Sequence, residues 1–108
     1  MSSVIEIADT DFEVEVKNES EKTVLVYFWA PWCGPCRLMS PIMQAIAGYH
    51  ENLKVVKLEV DANPDSRTLC KVEGVPAFRL FKNGEQLESL EGAIKKERLT
   101  ELLDKHLQ

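Results

Sequence analysis

The segment VLVYFWAPWCGPC, residues 24–36, ends a run of apolar residues with two cysteines that flank Gly-Pro. Its first six residues are apolar or aromatic at odd and even positions alike, which is typical of a central strand covered on both faces. If a helix begins at about Gly34, Cys33 lies at its N-terminus and Pro35 in its first turn, where the missing N–H costs nothing. Cys36 follows on the same helix face as Cys33 and within disulfide reach. The segment therefore predicts a strand, a turn and a helix that carry a dithiol.

The two thiols of this dithiol are expected to differ. Unpaired N–H groups and the helix dipole favour a thiolate at Cys33, and Arg37 adds a further preference for negative charge. Cys36 lies one turn deeper and should be less exposed and less acidic. This difference suits thiol–disulfide exchange, in which Cys33 attacks a disulfide of a partner protein and Cys36 then attacks Cys33 and releases the partner as a dithiol. An external reductase must then reopen the resulting disulfide.

The composition of the whole chain excludes several classes of function. Its 108 residues are 44% hydrophobic and 29% charged, which predicts a single domain, residues 1–108, with a substantial core. The net charge of −5 argues against binding to nucleic acid or a membrane surface, because phosphate affinity needs clustered Lys and Arg. No apolar run reaches the roughly 20 residues of a membrane helix, and the N-terminus lacks a signal-peptide pattern. We therefore expect a cytoplasmic protein.

Metal ligation is the main alternative use of the cysteine pair. Structural zinc takes four ligands, typically as two close pairs, whereas Cys70, His50 and His106 are scattered along the chain. We therefore expect no metal and no cofactor. Cys70 is either a small, partly buried helix residue or a second redox centre, and the first is favoured because no other cysteine is near it in sequence.

The remaining patterns predict alternating strands and helices in the order βαβαβαββα. Thr10 and Glu13 have the spacing of a capping box for a first helix that ends at about Lys17. Asn63 is expected to cap a short helix that begins at Pro64. The helix after the dithiol should end at about Tyr49 and bury a stripe made of Leu38, Ile42, Ala45, Ile46 and Tyr49. An Asn-Gly pair at residues 83–84 predicts a hairpin, and a last helix should cover residues 95–107.

The segment FWAPWCGPC, residues 28–36, resembles the active-site segment of the thioredoxin family. The segments VDANP, GVPAF, FKNGE and EGA stand where that family has comparable ones, so the resemblance covers essentially the whole chain. It implies a thioredoxin fold, with a central mixed five-stranded β-sheet flanked by four helices. It also implies a monomeric protein-disulfide reductase that carries electrons to disulfide-containing target proteins. The electron donor would be a thioredoxin reductase, either NADPH-linked or ferredoxin-linked.

The resemblance also implies residue roles. Cys33 would be the nucleophile and Cys36 the resolving thiol, and together they would form the redox-active disulfide. The active site would be supported by Trp29, Trp32, Gly34, Pro35, Lys57 and Pro76, the last as a cis-proline opposite the dithiol. The partner-binding groove would be formed by Trp32, Val75, Pro76, Glu91, Gly92 and Ala93.

Four positions raise questions that the sequence leaves open. Tyr27 stands where the family has a buried Asp. Either its hydroxyl relays a proton, or its ring only fills the pocket. The second interpretation is favoured because a ring at this position avoids the cost of a buried carboxylate. Lys57 either extends to water or acts beneath the dithiol. Arg79 places a charge in an apolar strand, and its acidic partner is not identified. Glu91 is expected to disfavour acidic partners from the groove rim.

Two other functions fit part of the pattern. A thiol oxidant or isomerase with the same fold is disfavoured by the Gly-Pro between the cysteines and by the missing signal peptide. A binding module with incidental thiols would differ from a reductase in one measurable way, because its activity would not depend on Cys33.

Overall fold

The computed structural model describes residues 3–107, and its five strands form one mixed sheet in the order β1-β3-β2-β4-β5. The strands are Ile5–Glu6 (β1), Thr23–Trp29 (β2), Leu53–Glu59 (β3), Ala77–Lys82 (β4) and Glu85–Glu91 (β5). The α-helices are Gly34–Ala47 (α1), Pro64–Leu69 (α2) and Lys96–His106 (α3), preceded by an N-terminal helical segment made of Asp9–Asp11 and Glu13–Lys17. β3 is parallel to β1 and β2, whereas β4 is antiparallel to β2 and β5. The predicted mixed five-stranded sheet with four helices is confirmed.

Strand β2 lies at the centre of the sheet, and six of its seven residues are buried. On one face, Leu25 and Tyr27 pack with the buried residues of α1 and α3. On the other face, Val26 and Phe28 pack with the N-terminal helical segment and the chain that follows α2. Because both faces are covered, the strand is apolar at odd and even positions, as predicted. The carboxyl end of β2 leads directly to the dithiol.

The buried face of α1 differs from the predicted stripe. It consists of Cys36, Met39, Met43, Ile46 and Ala47. Leu38, which the sequence placed in the core, is 72% exposed, and only Ile46 belongs to both sets. The two sets have the same helical period, so the pattern alone could not choose between them. The position of Cys36 makes the choice, because its sulfur must face Cys33.

The capping box predicted at Thr10 is wrong. The N-terminal helical segment begins at Asp9, and the carboxylate of Asp11 accepts the N–H of Ala8 at 2.9 Å. Asp11 therefore supplies the carboxylate that the prediction assigned to Glu13, and Ala8 stands at the N-cap position that it assigned to Thr10.

The cap of α2 comes from a distant part of the chain. Asn63 makes no capping bond, because its side-chain oxygen accepts the N–H of Asp9 at 2.8 Å. The carboxylate of Asp9 instead accepts the N–H groups of Asp65 and Ser66 at 3.0 and 2.8 Å. Burial raises the pKa of Asp9, but the hydrogen bonds from Ser66 and Asp65 outweigh it, so that the pKa lies below its ordinary value. Asp9 therefore joins the N-terminal helical segment to α2.

The predicted hairpin connects β4 and β5. Lys82 pairs with Glu85 across a two-residue turn, in which Asn83 and Gly84 both have positive φ angles, 52° and 79°. Two positive φ angles are the signature of the turn that Asn-Gly favours. At Gly84 a Cβ atom would also lie only 2.7 Å from the carbonyl oxygen of Lys17.

Candidate active site at the dithiol

The two cysteines of the dithiol are joined by a disulfide, with their Cα atoms 5.3 Å apart. Cys33 has an extended backbone and is the N-cap of α1, and its Sγ accepts the N–H of Cys36 at 3.2 Å. Pro35 occupies the first turn, as predicted. A sulfur that accepts an N–H at a helix N-terminus is stabilised as a thiolate, because both the bond and the dipole favour negative charge. The geometry therefore favours Cys33 as the acidic thiol after reduction.

The predicted difference in exposure between the thiols is absent from this disulfide form. Cys33 is 4% exposed and Cys36 is 5% exposed. Trp29 and Val75 pack against the cluster that contains both cysteines. What distinguishes the two sulfurs is therefore the hydrogen bond at the end of α1.

Trp32 presents an apolar surface beside the dithiol. Its side chain is 66% exposed, yet its Nε1–H donates to the carboxylate of Asp61 at 2.7 Å. Asp61 is itself positioned by the turn after β3, where its N–H donates to Glu59. The indole is therefore exposed but held in one place. No sequence pattern pointed to Asp61, which lies 29 residues from the tryptophan that it binds.

A cavity of about 210 Å³ lies behind Cys36 and is partly open to solvent. It is lined among others by Tyr27, Trp29, Cys36, Arg37 and Lys57. Lys57 Nζ lies 5.3 Å from the centroid of the Trp29 ring, a distance at which the ring attracts the cation. Lys57 therefore lies against Trp29 and lines the same cavity as Cys36. Trp29 Nε1 is buried and has no hydrogen-bond partner among residues 3–107.

Tyr27 is buried against this cavity. Its hydroxyl donates to the carbonyl oxygen of Cys36 at 3.3 Å, and its ring stacks on Phe78 with centroids 5.4 Å apart. Burial raises the pKa of Tyr27 to about 12, so the phenol is neutral near pH 7. Its hydroxyl is bonded to the backbone at the start of α1 and not to a sulfur.

Val75 packs against the cluster that contains both cysteines, and the Val75–Pro76 peptide bond is cis, as the resemblance implied. The N–H of Gly92 donates to the carbonyl oxygen of Pro76 at 2.8 Å. Gly92 has a φ angle of 97°, and a Cβ atom there would meet nothing within 4 Å. Its glycine is thus required by backbone conformation, while the space in front of it stays open. Ala93 follows and is exposed.

The carboxylate of Glu91, which the resemblance placed at the groove, is bound by Arg79 and by the backbone N–H groups that precede Val75. This carboxylate lies 2.8 Å from Nη2 of Arg79, and is the acidic partner that the sequence did not identify. Burial raises the pKa of Glu91, but the hydrogen bonds from Arg79, Glu73 and Gly74 outweigh it and hold the pKa below its ordinary value. Repulsion of acidic partners by Glu91 stays a prediction, and Arg79 is the neighbouring cation that balances the charge of this carboxylate.

Cys70 is a buried free cysteine at the C-terminal end of α2. Burial raises the pKa of its thiol to about 11, so it is protonated and unreactive near pH 7. The interpretation of Cys70 as a small packed residue is favoured over a second redox centre.

The chain is similar to thioredoxins along nearly its whole length. The Thioredoxin family model matches residues 3–105. The thioredoxin-like protein slr1139 of Synechocystis sp. is 59% identical over 97% of this chain and 96% of its own, and thioredoxin 1 of Nostoc sp. is 40% identical over 99% of this chain and 100% of its own. A mutant thioredoxin from Halobacterium salinarum NRC-1 has a similar structure, with a TM-score of 0.89, 29% identity and coverage of 98% of this chain and 92% of that one.

These relatives and the Cys33–Cys36 pair agree on one chemistry. A disulfide that joins two cysteines three residues apart at a helix N-terminus is the reactive element of a thiol–disulfide oxidoreductase. The chain is a protein-disulfide reductase and belongs to the thioredoxin family.

Proposed function

We propose that Cys33 is the nucleophile and Cys36 the resolving thiol in the reduction of disulfides of partner proteins. The Cys33 thiolate attacks one sulfur of the partner disulfide, and the other sulfur leaves as a thiolate. The Cys36 thiolate then attacks Sγ of Cys33, which forms the Cys33–Cys36 disulfide and releases the second partner sulfur. The observation that carries this order is the hydrogen bond from the N–H of Cys36 to Sγ of Cys33 at 3.2 Å.

The proton of Cys36 leaves through the cavity behind it. Tyr27 is a poor acceptor, because its hydroxyl is neutral and donates to a backbone carbonyl. The cavity has room for several waters at about 30 Å³ each, and Lys57 lines it together with Cys36. We therefore assign the proton to water in the cavity, with the Lys57 cation favouring the thiolate that forms.

The groove for the partner chain runs past Trp32, Val75, Pro76, Gly92 and Ala93. An extended partner segment pairs with the backbone at Val75, as in strand addition to a sheet edge. Trp32 supplies an exposed ring that Asp61 holds in place, and the open space before Gly92 leaves room for the partner backbone. Gly34 and Pro35 contribute by forming the first turn of α1.

The electron donor in this proposal is a thioredoxin reductase, NADPH-linked or ferredoxin-linked, and the targets are disulfide-containing proteins. The chain forms a single domain, residues 1–108, since both core clusters include residues of strand β2 of the same sheet, and we propose that it acts as a monomer. Cycling by a reductase requires a reducing compartment, and we place the protein in the cytoplasm. None of the helices between residues 3 and 107 is long and apolar enough to span a membrane.

The test separates the two cysteines. Reduced wild type should react with iodoacetamide at Cys33 near neutral pH, and a Cys36→Ser variant should accumulate mixed disulfides with its partners. A Cys33→Ser variant is the control and should neither trap partners nor reduce insulin. Preferential labelling of Cys36, or insulin reduction without Cys33, would overturn the proposed roles.

A further inference from the structure

Arg79 is a buried cation in the middle of β4, with only 2% of its surface exposed. A guanidinium group carries five N–H donors, and each of them has an acceptor here. The Nε–H donates to the Cys70 carbonyl at 2.8 Å, Nη1 to the carbonyls of Phe78 and Leu90 at 3.0 and 3.2 Å, and Nη2 to the Lys71 carbonyl at 3.2 Å and the Glu91 carboxylate at 2.8 Å. The residue is therefore fully satisfied and has one orientation.

These bonds hold the segment of residues 70–74 at both ends. Arg79 donates to the carbonyl groups of Cys70 and Lys71, where the chain leaves α2. Lys71 has a positive φ angle of 54°. At the other end, the Glu91 carboxylate accepts the N–H of Gly74 at 3.2 Å and that of Glu73 at 3.4 Å. We call Arg79 and Glu91 the clamp. Val75 directly follows the segment that the clamp holds.

Stability alone gives a weak reason for such a pair. Removing the Arg79 cation from water is costly, and its partner Glu91 is 33% exposed, so that solvent weakens the attraction that offsets this cost. Two apolar residues at these positions could fill the same space. They could not bind the carbonyl groups at the end of α2 or the N–H groups of residues 73–74. The contribution specific to the clamp is therefore the position of the segment.

We propose that the Arg79–Glu91 clamp positions Val75 and Pro76 for polypeptide substrates, so that both clamp residues are positioning residues for the reduction of protein disulfides. The inference rests on the proposed groove at Val75. Glu91 is joined to the groove from its other side as well, because the N–H of the adjacent Gly92 donates to the Pro76 carbonyl at 2.8 Å. Loss of the clamp frees the segment before the cis peptide bond, while Cys33 and Cys36 keep their own geometry at α1.

This inference differs from a charge effect at the groove rim. If Glu91 repelled acidic partners, Glu91→Val would speed the reduction of acidic targets, and added salt would remove the difference. Loss of the clamp instead slows reduction of protein targets of either charge and is insensitive to salt, because what changes is the position of the backbone.

The test compares two disulfides. Insulin presents a polypeptide backbone to the groove, whereas bis(2-hydroxyethyl) disulfide has none. Second-order rate constants for both are measured with reduced wild type, Glu91→Val and the Arg79→Leu/Glu91→Val double variant, under conditions in which circular dichroism shows each to be folded. The matched control is Glu88→Gln. It removes a carboxylate from the same strand, β5, but this carboxylate pairs with Lys105 and His106 and not with Arg79.

We expect both clamp variants to lower the rate constant for insulin by about tenfold and to leave the small disulfide unchanged, while Glu88→Gln changes neither. The double variant removes both charges, so it keeps the test informative if Glu91→Val alone fails to fold. An unchanged ratio of the two rate constants in the folded variants would refute the inference, whether both rates fall together or neither falls. A wild-type chain that reduces neither disulfide would instead contradict the proposed function, and the clamp with it.

Discussion

Replacing Tyr27 by Phe tests how Cys36 loses its proton. The substitution removes one hydroxyl and keeps the ring, so the stacking on Phe78 and the shape of the cavity are retained. What is lost is the hydrogen bond to the Cys36 carbonyl. At 3.3 Å this bond is longer than the usual range, and we expect its loss to lower the free energy of unfolding by about 0.5 kcal/mol, the low end for such bonds.

Tyr27→Phe should slow catalysis less than the loss of a group that transfers the thiol proton would. The Tyr27 hydroxyl is not bonded to a sulfur and its pKa is raised to about 12, so it neither holds nor accepts the thiol proton near pH 7. The rate of the resolving step should stay within about threefold of wild type, a barrier change below roughly 1 kcal/mol.

The assay is a single-turnover reduction followed by stopped-flow, which separates formation of the mixed disulfide from its resolution by Cys36. Tyr49→Phe is the matched control, since it removes a hydroxyl that binds Asp104, a residue of α3. A tenfold or greater slowing of the resolving step in Tyr27→Phe alone, with unchanged formation of the mixed disulfide, would show that the hydroxyl is catalytic.

Tyr27→Asp extends the test to pH. A carboxylate at this buried position would have a raised pKa when folded, against about 3.9 when unfolded. Relative to wild type, the variant should therefore show a pH-independent loss of stability from the missing ring, and a further loss that grows as pH rises from the unfolded pKa through the folded pKa. Urea denaturation between pH 4 and 8 measures this, and a deficit that does not vary with pH would contradict it.

Three further predictions concern residues away from the dithiol. Asp9→Ala should lower the free energy of unfolding by about 1 kcal/mol at pH 7; because the pKa of Asp9 is lowered in the folded chain, this deficit should shrink as pH falls through that pKa, and a constant deficit would argue against the cap. Cys70 should resist alkylation at pH 8 in the folded, oxidised protein and react after denaturation, since burial raises its pKa to about 11; rapid labelling of the native chain would disprove its burial. Gly84→Ala should destabilise by about 1–3 kcal/mol, because its φ angle is 79° and its Cβ would lie 2.7 Å from the Lys17 carbonyl oxygen; unchanged thermal stability would show that the turn adapts.

The sequence predicts those features whose causes are local. Cys33 as the N-cap of α1 and the hairpin at residues 83–84 both follow from a few adjacent residues with strong backbone preferences. The prediction of the buried face of α1 was wrong for a different reason. The predicted and the observed stripes have the same period, and the prediction did not use Cys36, whose position beside Cys33 selects the observed one. Likewise Asp9 caps α2 from 56 residues away, a distance over which sequence pattern carries no signal.

The partner of Arg79 shows most clearly why the site could not be completed from the sequence. A two-residue turn at residues 83–84 with regular pairing would place Ala77 opposite Leu90, and Glu91 would then lie on the opposite face of the sheet from Arg79. The hairpin instead has an irregularity at Leu80/Phe81, which shifts the register by one residue and pairs Ala77 with Glu91. Because side chains alternate between faces, this single shift turns the Glu91 carboxylate toward the guanidinium. The charge in an apolar strand was visible in the sequence, but the bulge that brings its partner to the same face was not.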